Sequence, residues 1–191
     1  NFAKKHDILI VNDNPYSFIL NDNPLSILAV EGAKEVAIEL NSLSKTFNMA
    51  GWRVGMVVGD AQIIKTILEV KSNMDSGMFF GIQQGAIAAL KADASWFESL
   101  NTIYRKRRKL VEKLATKLGA EFDSESVGLF VWAKLPKGSV DAETFIDNIL
   151  HKQHIFITPG TIFGSQGDGY IRFSLCVPET TIEEAINRIE S

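Results

Sequence analysis

Ile8-Leu9-Ile10-Val11 is a short apolar run rich in β-branched residues that stops at Asn12-Asp13-Asn14-Pro15. This predicts a buried strand ending in a turn, with Asp13 at the strand's C-terminal end. A second run, Val36-Ala37-Ile38-Glu39-Leu40, follows after about twenty residues, enough for the dozen or more that a parallel crossover requires. It gives way to Asn41-Ser42-Leu43-Ser44-Lys45. The third run, Arg53-Val54-Gly55-Met56-Val57-Val58, follows too closely for a crossover, so it is expected antiparallel to its predecessor. The result is a mixed sheet.

Residues 61–71 and 82–92 carry apolar groups at helical spacing (Ile63, Ile64, Ile67, Leu68; Ile82, Ala86, Ile87, Leu90), with a Gly- and Ser-containing loop between them. From Trp96 to Leu118, the residues Phe97, Leu100, Tyr104, Val111, Leu114 and Leu118 fall mainly on one stripe of a long helix that Gly119 is placed to end. After it come a strand (Leu129 to Leu135), a helix (Ala142 to Lys152), a strand (Ile155 to Thr158) and an alternating strand (Tyr170 to Leu175). A final helix opens with Thr180 and Glu183 in capping-box spacing. The expected organisation is α/β: a larger lobe over 1–95 with a mixed, mainly parallel sheet, a linking helix over 96–119, and a small α+β lobe over 120–191. Asn-Asp-Asn-Pro occurs at 12–15 and again at 21–24, with different flanks and a spacing far below a structural repeat. Two turns account for it.

At 191 residues the chain is long enough to bury a sizeable core. Apolar residues at 46%, charged residues at 23% and a net charge of −3 disfavour a disordered chain and a strongly electrostatic nucleic-acid binder. No apolar run approaches the ~18 residues of a bilayer span, so no membrane partner is expected. The lone Cys176 has no internal partner, which fits a reducing, cytoplasmic setting. The chain opens Asn1-Phe2-Ala3 and enters an apolar run almost at once, as a fragment of a longer protein would.

Ser42-Leu43-Ser44-Lys45 is followed eight residues after the lysine by Arg53, within Gly51-Trp52-Arg53-Val54-Gly55. At the end of a buried strand, desolvation favours a neutral amine, which is a nucleophile toward aldehydes. Two serine hydroxyls and an arginine close by supply donors for a phosphate. Together they describe a site for a phosphorylated aldehyde held as a Schiff base, against the plainer alternative of a solvated lysine in a serine-capped turn. Asp13 and Tyr16 follow a strand whose C-terminal end is expected at the same sheet edge as Lys45, where open α/β sheets collect ligands. A carboxylate there can keep a pyridinium nitrogen protonated, and a tyrosine hydroxyl can donate to the ring's phenolate oxygen. Arg172, within Tyr170-Ile171-Arg172-Phe173-Ser174, shares a strand face with Tyr170 and Ser174 and is suited to grip a carboxylate by two parallel hydrogen bonds.

The ensemble resembles the C-terminal half of a fold-type I pyridoxal-phosphate enzyme of the class I/II aminotransferase group, over essentially all 191 residues. The resemblance implies pyridoxal 5'-phosphate as cofactor and transfer of an amino group between an amino acid and a 2-oxo acid. It implies that Lys45 is the Schiff-base lysine and proton shuttle, that Asp13 partners the pyridine nitrogen, and that Tyr16 bonds the ring oxygen. Ser42, Ser44 and Arg53 fall where the family holds the cofactor phosphate, and Arg172 where it binds the substrate α-carboxylate. It further implies that 1–95 belongs to the large cofactor-binding lobe, that 120–191 is the small lobe, and that the parent protein is a homodimer.

The family's upstream Asn-Pro segment, its phosphate-cupping turn and its stacking aromatic are not in this chain, so the isolated chain is expected to be inactive. The same lysine also supports lyase chemistry, or an aminotransferase-like sensing or interaction domain without turnover. Ser42-x-x-Lys45 matches the pattern of penicillin-binding serine enzymes, yet no Lys-Thr-Gly accompanies it. His151 and His154, three apart on the expected helix, lack further metal-ligand motifs and read as a surface pair. The basic run Arg105-Lys106-Arg107-Arg108-Lys109 reads as a solvated helix face. The glycines at 160, 164, 167 and 169 do not follow a dinucleotide-binding pattern.

Overall fold

The computed structural model describes residues 1–139 and 141–190, so residues 140 and 191 of the expected C-terminal lobe lie outside it. Packing contacts divide the chain into two units, Asn1–Phe97 and Glu98–Ser191.

In the first unit, a short helix α1 (Phe2–His6) precedes β1 (Ile10–Asp13), which pairs parallel with β2 (Ala37–Ser42). A one-turn helix α2 (Leu43–Thr46) leaves β2 directly, and β3 (Gly55–Gly59) returns antiparallel to it, in the order β1-β2-β3. The mixed sheet follows from loop length: the 14–36 connection carries the chain back to the start of the sheet, while 43–54 only reverses it. Helices α3 (Ala61–Met74) and α4 (Phe80–Leu90) complete the unit. The Asp60 carboxylate caps α3 by accepting from the Gln62 and Ile63 amides at 2.8 and 3.2 Å.

A local core of Leu43, Met49 and Val54 forms under the β2–β3 connection and packs against Phe47, Met56, Ile82, Ala86 and Ala89. β1 was expected to be buried, whereas Ile10 and Val11 are exposed in this chain. Val58, Leu68, Val70 and Phe80 are exposed as well.

Helix α5 (Ala94–Lys117) starts in the first unit and continues into the second. It ends before Gly119, whose φ of 73° lets the Ala120 amide reach back to the Ala115 carbonyl at 2.9 Å. The second unit adds β4 (Glu121–Phe122), β5 (Phe130–Lys134), α6 (Ala142–Gln153), β6 (Thr158–Pro159), β7 (Tyr170–Ser174) and α7 (Glu179–Glu190). Its sheet runs β4-β5-β7-β6, antiparallel throughout. Alternation along β7 buries Ile171 and Phe173 and leaves Tyr170, Arg172 and Ser174 half-buried on the opposite face. Val131 and Ala133 of β5, Val111 and Leu114 of α5, Ile146 of α6, and Ile182 and Ile186 of α7 complete this core.

The structure departs from four sequence expectations. Ile155 and Phe156 stand outside the sheet, with only Thr158 and Pro159 pairing, and Phe156 is 66% exposed. The Thr180–Glu183 capping box does not form, since α7 begins at Glu179 and the Thr181 and Ile182 amides donate to the Pro178 carbonyl at 3.1 and 3.2 Å. His154 lies beyond α6, as a left-handed cap with φ 56°. The basic run is not a solvated face throughout: Arg108 is buried and donates to Glu112, Asp123 and Ser126, and Arg107 pairs with Glu179 at 3.4 Å.

Candidate active site

The lysine turn is shaped by its serines. Ser42 is the last residue of β2 and caps α2, its Oγ accepting from the Ser44 amide at 3.1 Å. A capping hydroxyl used as an acceptor keeps its own proton free to donate. Ser44 is buried, and Lys45 is half-buried one position further along the turn. The Leu43 amide donates to the Val54 carbonyl at 3.2 Å, and Ser42 stands in register with Gly55, so Arg53 comes alongside the turn. Arg53 holds a left-handed backbone (φ 52°), uncommon for a residue with a Cβ, and its guanidinium donates to the Ala50 carbonyl at 2.9 Å.

Asp13 ends β1 in register with Leu40, two residues before Ser42. In-register residues of paired strands share a face and side chains alternate, so Asp13 and Ser42 lie on one face at the C-terminal edge of the parallel pair. Asp13 is exposed, and among the described residues neither its carboxylate nor the Lys45 amine has a hydrogen-bond or ion-pair partner. Tyr16 is half-buried in the turn beyond, where its carbonyl accepts from the Ile19 amide at 3.0 Å.

In the second unit Arg172 stands between Trp132 of β5 and Thr158 of β6. Its guanidinium carbon lies 4.1 Å from the centre of the Phe130 ring and 4.2 Å from that of Phe163. Trp132 meets Phe163 edge-on and stacks on Tyr170. Two rings against one planar cation fix its plane, and among the described residues its buried Nε has no hydrogen-bond partner. A cavity of about 400 Å³ opens beside it, lined also by Val111, His154, Ser174 and Ile182.

The sequence profile of aminotransferase class I and II matches residues 1–189. The chain belongs to this family. It is 43% identical over 190 residues to LL-diaminopimelate aminotransferase of Nitratidesulfovibrio vulgaris, covering 98% of the chain and 49% of that protein. It is 40% identical to the enzyme of the same name from Aquifex aeolicus, over all of the chain and 50% of that protein. Among solved structures, apo-BacF from Bacillus subtilis superposes with a TM-score of 0.90 at 39% identity, over 99% of the chain and 49% of BacF. The aromatic aminotransferase of Pyrococcus horikoshii gives 0.89 at 30%, over 99% and 52%. The chain spans about half the length of the curated relatives it matches.

Class I and II aminotransferases depend on pyridoxal 5'-phosphate. The donor set of the first unit fits that group chemically: a partnerless amine, a partnerless carboxylate on the same sheet edge, and hydroxyl and guanidinium donors around one turn. Among the described residues no helix is long and apolar enough to cross a membrane, and no cluster of His, Cys, Asp and Glu is arranged to hold a metal.

Sequence reasoning missed the residues that brace these groups. Trp96 and Phe97 reach the segments carrying Lys45 and Tyr16, and Glu39 ties β1 to the loop that follows it. Phe130 and Phe163 enclose Arg172. Only Glu39 left a trace in the sequence, as a lone charge inside an apolar run.

Proposed function

We propose that the full-length protein moves an amino group between an amino acid and a 2-oxo acid, with pyridoxal 5'-phosphate as cofactor. One observation carries this reading. Lys45 leaves β2 directly, and the parallel neighbour of β2 ends in Asp13 at the same sheet edge, where among the described residues neither the amine nor the carboxylate has a partner.

When bound, the cofactor supplies an electron-withdrawing ring that stabilises charge at the substrate's α-carbon. Asp13 keeps a proton on the ring nitrogen by its negative charge, and the Tyr16 hydroxyl donates to the ring oxygen. The hydroxyls of Ser42 and Ser44 and the guanidinium of Arg53 hold the phosphate. Lys45 Nζ would hold the cofactor through its aldehyde and, as a neutral amine, would serve as the base that moves the proton at the substrate α-carbon. Arg172, its plane fixed by Phe130 and Phe163, binds the α-carboxylate with two parallel hydrogen bonds.

Relatives at 40–43% identity carry the name LL-diaminopimelate aminotransferase, which makes LL-diaminopimelate the amino donor to test first. We place the activity in the cytoplasm, in agreement with the free Cys176, and in a homodimer, as the family resemblance implies. The test is glutamate formation from 2-oxoglutarate by the purified full-length protein, with LL-diaminopimelate and a panel of other amino acids as donors. Transfer from at least one donor is expected. Cofactor held on Lys45 with no transfer from any donor would contradict the reading.

A further inference from the structure

Glu39 lies in the middle of β2 with 8% of its surface exposed, and among the described residues no cation pairs with it. Four donors replace water around its carboxylate. Oε2 accepts from Ser26 Oγ at 2.7 Å, the Ile27 amide at 3.0 Å and Asn12 Nδ2 at 3.2 Å, and Oε1 accepts from Asn14 Nδ2 at 3.3 Å. An ionised carboxylate is the side chain suited to this role, because it accepts from several donors and presents no hydrogen. Burial pushes the Glu39 carboxyl up, but the bonds from Ser26, Asn12, Ile27 and Asn14 outweigh it and hold the group below the usual carboxylate range.

The four donors are not scattered. Asn12 is in register with Glu39, and Asn14, two residues on, falls on the same face. They are the two chain neighbours of Asp13, whose side chain takes the opposite face. The Asn14 amide, donating to the Leu40 carbonyl at 2.9 Å, makes the last backbone bond from β1 to β2, and Asn14 Nδ2 also donates to the Leu25 carbonyl at 3.0 Å. Beyond that point the chain enters the 14–26 loop, whose far end returns to Glu39 through Ser26 and Ile27. The carboxylate thus ties both the end of β1 and the far end of the loop to the middle of β2.

We propose that Glu39 is a positioning residue that acts through Asp13: by clamping Asn12 and Asn14 to β2, it fixes the direction in which Asp13 projects from the sheet edge. This rests on the cofactor reading above, since it assigns Asp13 a task that depends on its direction.

The test is a double-mutant cycle in the full-length protein on Glu39→Gln and Asp13→Ala, read as the pyridoxal 5'-phosphate dissociation constant of the cofactor-free protein. Glutamine keeps the shape but turns an NH₂ group toward donors. Loss of charge-assisted bonds is expected to raise the dissociation constant about tenfold in the presence of Asp13, and by less than about threefold in the Asp13→Ala background. Hydrogen exchange at the Asn14 amide should rise in cofactor-free Glu39→Gln. An equal rise in dissociation constant in both backgrounds would reduce Glu39 to a structural residue and overturn the proposal, as would no rise in either. Failure of the wild type to bind the cofactor would instead overturn the functional reading, while the Asn14 exchange would still report whether the clamp exists. Should Glu39→Gln not fold, Ser26→Ala removes a single donor and enters the same cycle, with a smaller rise expected only where Asp13 is present.

Discussion

Trp96 donates its indole N–H to the carbonyl oxygen of Thr46 at 3.0 Å, across fifty residues of chain. The next residue, Phe97, stacks on Phe18 at 5.4 Å and meets Phe47 edge-on at 5.7 Å. The start of α5 therefore braces two segments at once, the turn that carries Lys45 and the stretch that follows Tyr16. Thr46 is the last residue of a one-turn helix, so its carbonyl has no helical amide to accept from, and the indole fills that vacancy.

Trp96→Phe keeps most of the ring and removes the donor. Urea unfolding is expected to show a loss of about 1 kcal/mol, the usual net worth of such a bond. Hydrogen exchange should rise at the Phe47 amide, which closes the same turn onto the Leu43 carbonyl. Unchanged stability and exchange would mean that the indole bond does not hold the turn.

Arg172→Lys removes a planar fork and leaves a point charge between Phe130 and Phe163. With a charge-assisted bidentate contact worth about 1.5–3 kcal/mol, KM for amino and 2-oxo acid substrates should rise roughly 10- to 100-fold, with a smaller change in kcat. KM values within twofold of wild type would remove Arg172 from carboxylate binding.

Glu39 gives a pH dependence with a defined sign. Its folded-state carboxyl is held below its ordinary value of 4.5, so its contribution to stability is present above that pH and is lost as the pH falls through the lowered folded value. The groups facing it, Asn12, Asn14 and Ser26, do not titrate. The difference in unfolding free energy between wild type and Glu39→Gln should stay constant from pH 7 down to about 5 and narrow below that. A difference that widens on acidification would show that the carboxyl is held above its ordinary value.

The two glycines of Gly51-Trp52-Arg53-Val54-Gly55 serve unequally. A Cβ on Gly55 would come 2.7 Å from the Asn41 carbonyl oxygen, a backbone atom that cannot yield without disturbing the β2–β3 ladder. A Cβ on Gly51 would meet nothing within 4 Å. Gly55→Ala should destabilise by about 1–3 kcal/mol in denaturant unfolding, and Gly51→Ala should stay within about 0.5 kcal/mol of wild type. Similar effects at both positions would show that the close approach at Gly55 is not what the fold requires.

Much of the first unit's sheet was legible because apolar runs and the lengths between them decide pairing direction. The direction of β2 relative to β1 and β3, and the shared edge of Asp13 and Lys45, follow from that arithmetic alone. Burial was less legible: β1 reads as a core strand by composition, yet Ile10 and Val11 are exposed in this chain. Arg108 reads as part of a solvated basic face, yet it is buried. It occupies the stripe of Tyr104, Val111 and Ala115, so helical geometry turns it inward, and the 123–126 loop supplies the acceptors that let a guanidinium be buried. No local pattern announces those acceptors. The contacts of Trp96, Phe97 and Glu39 were hidden because each joins residues that only the folded chain brings together.

The assignment of Lys45 as the amine that holds pyridoxal 5'-phosphate is tested most directly by borohydride reduction of the cofactor-loaded full-length protein, followed by peptide mapping, with Lys45→Ala alongside. The expected result is one pyridoxyl adduct, on Lys45, with a near-visible absorbance band that reduction abolishes, and neither band nor adduct in the variant. An adduct on another lysine, or an unchanged band in Lys45→Ala, would contradict the assignment.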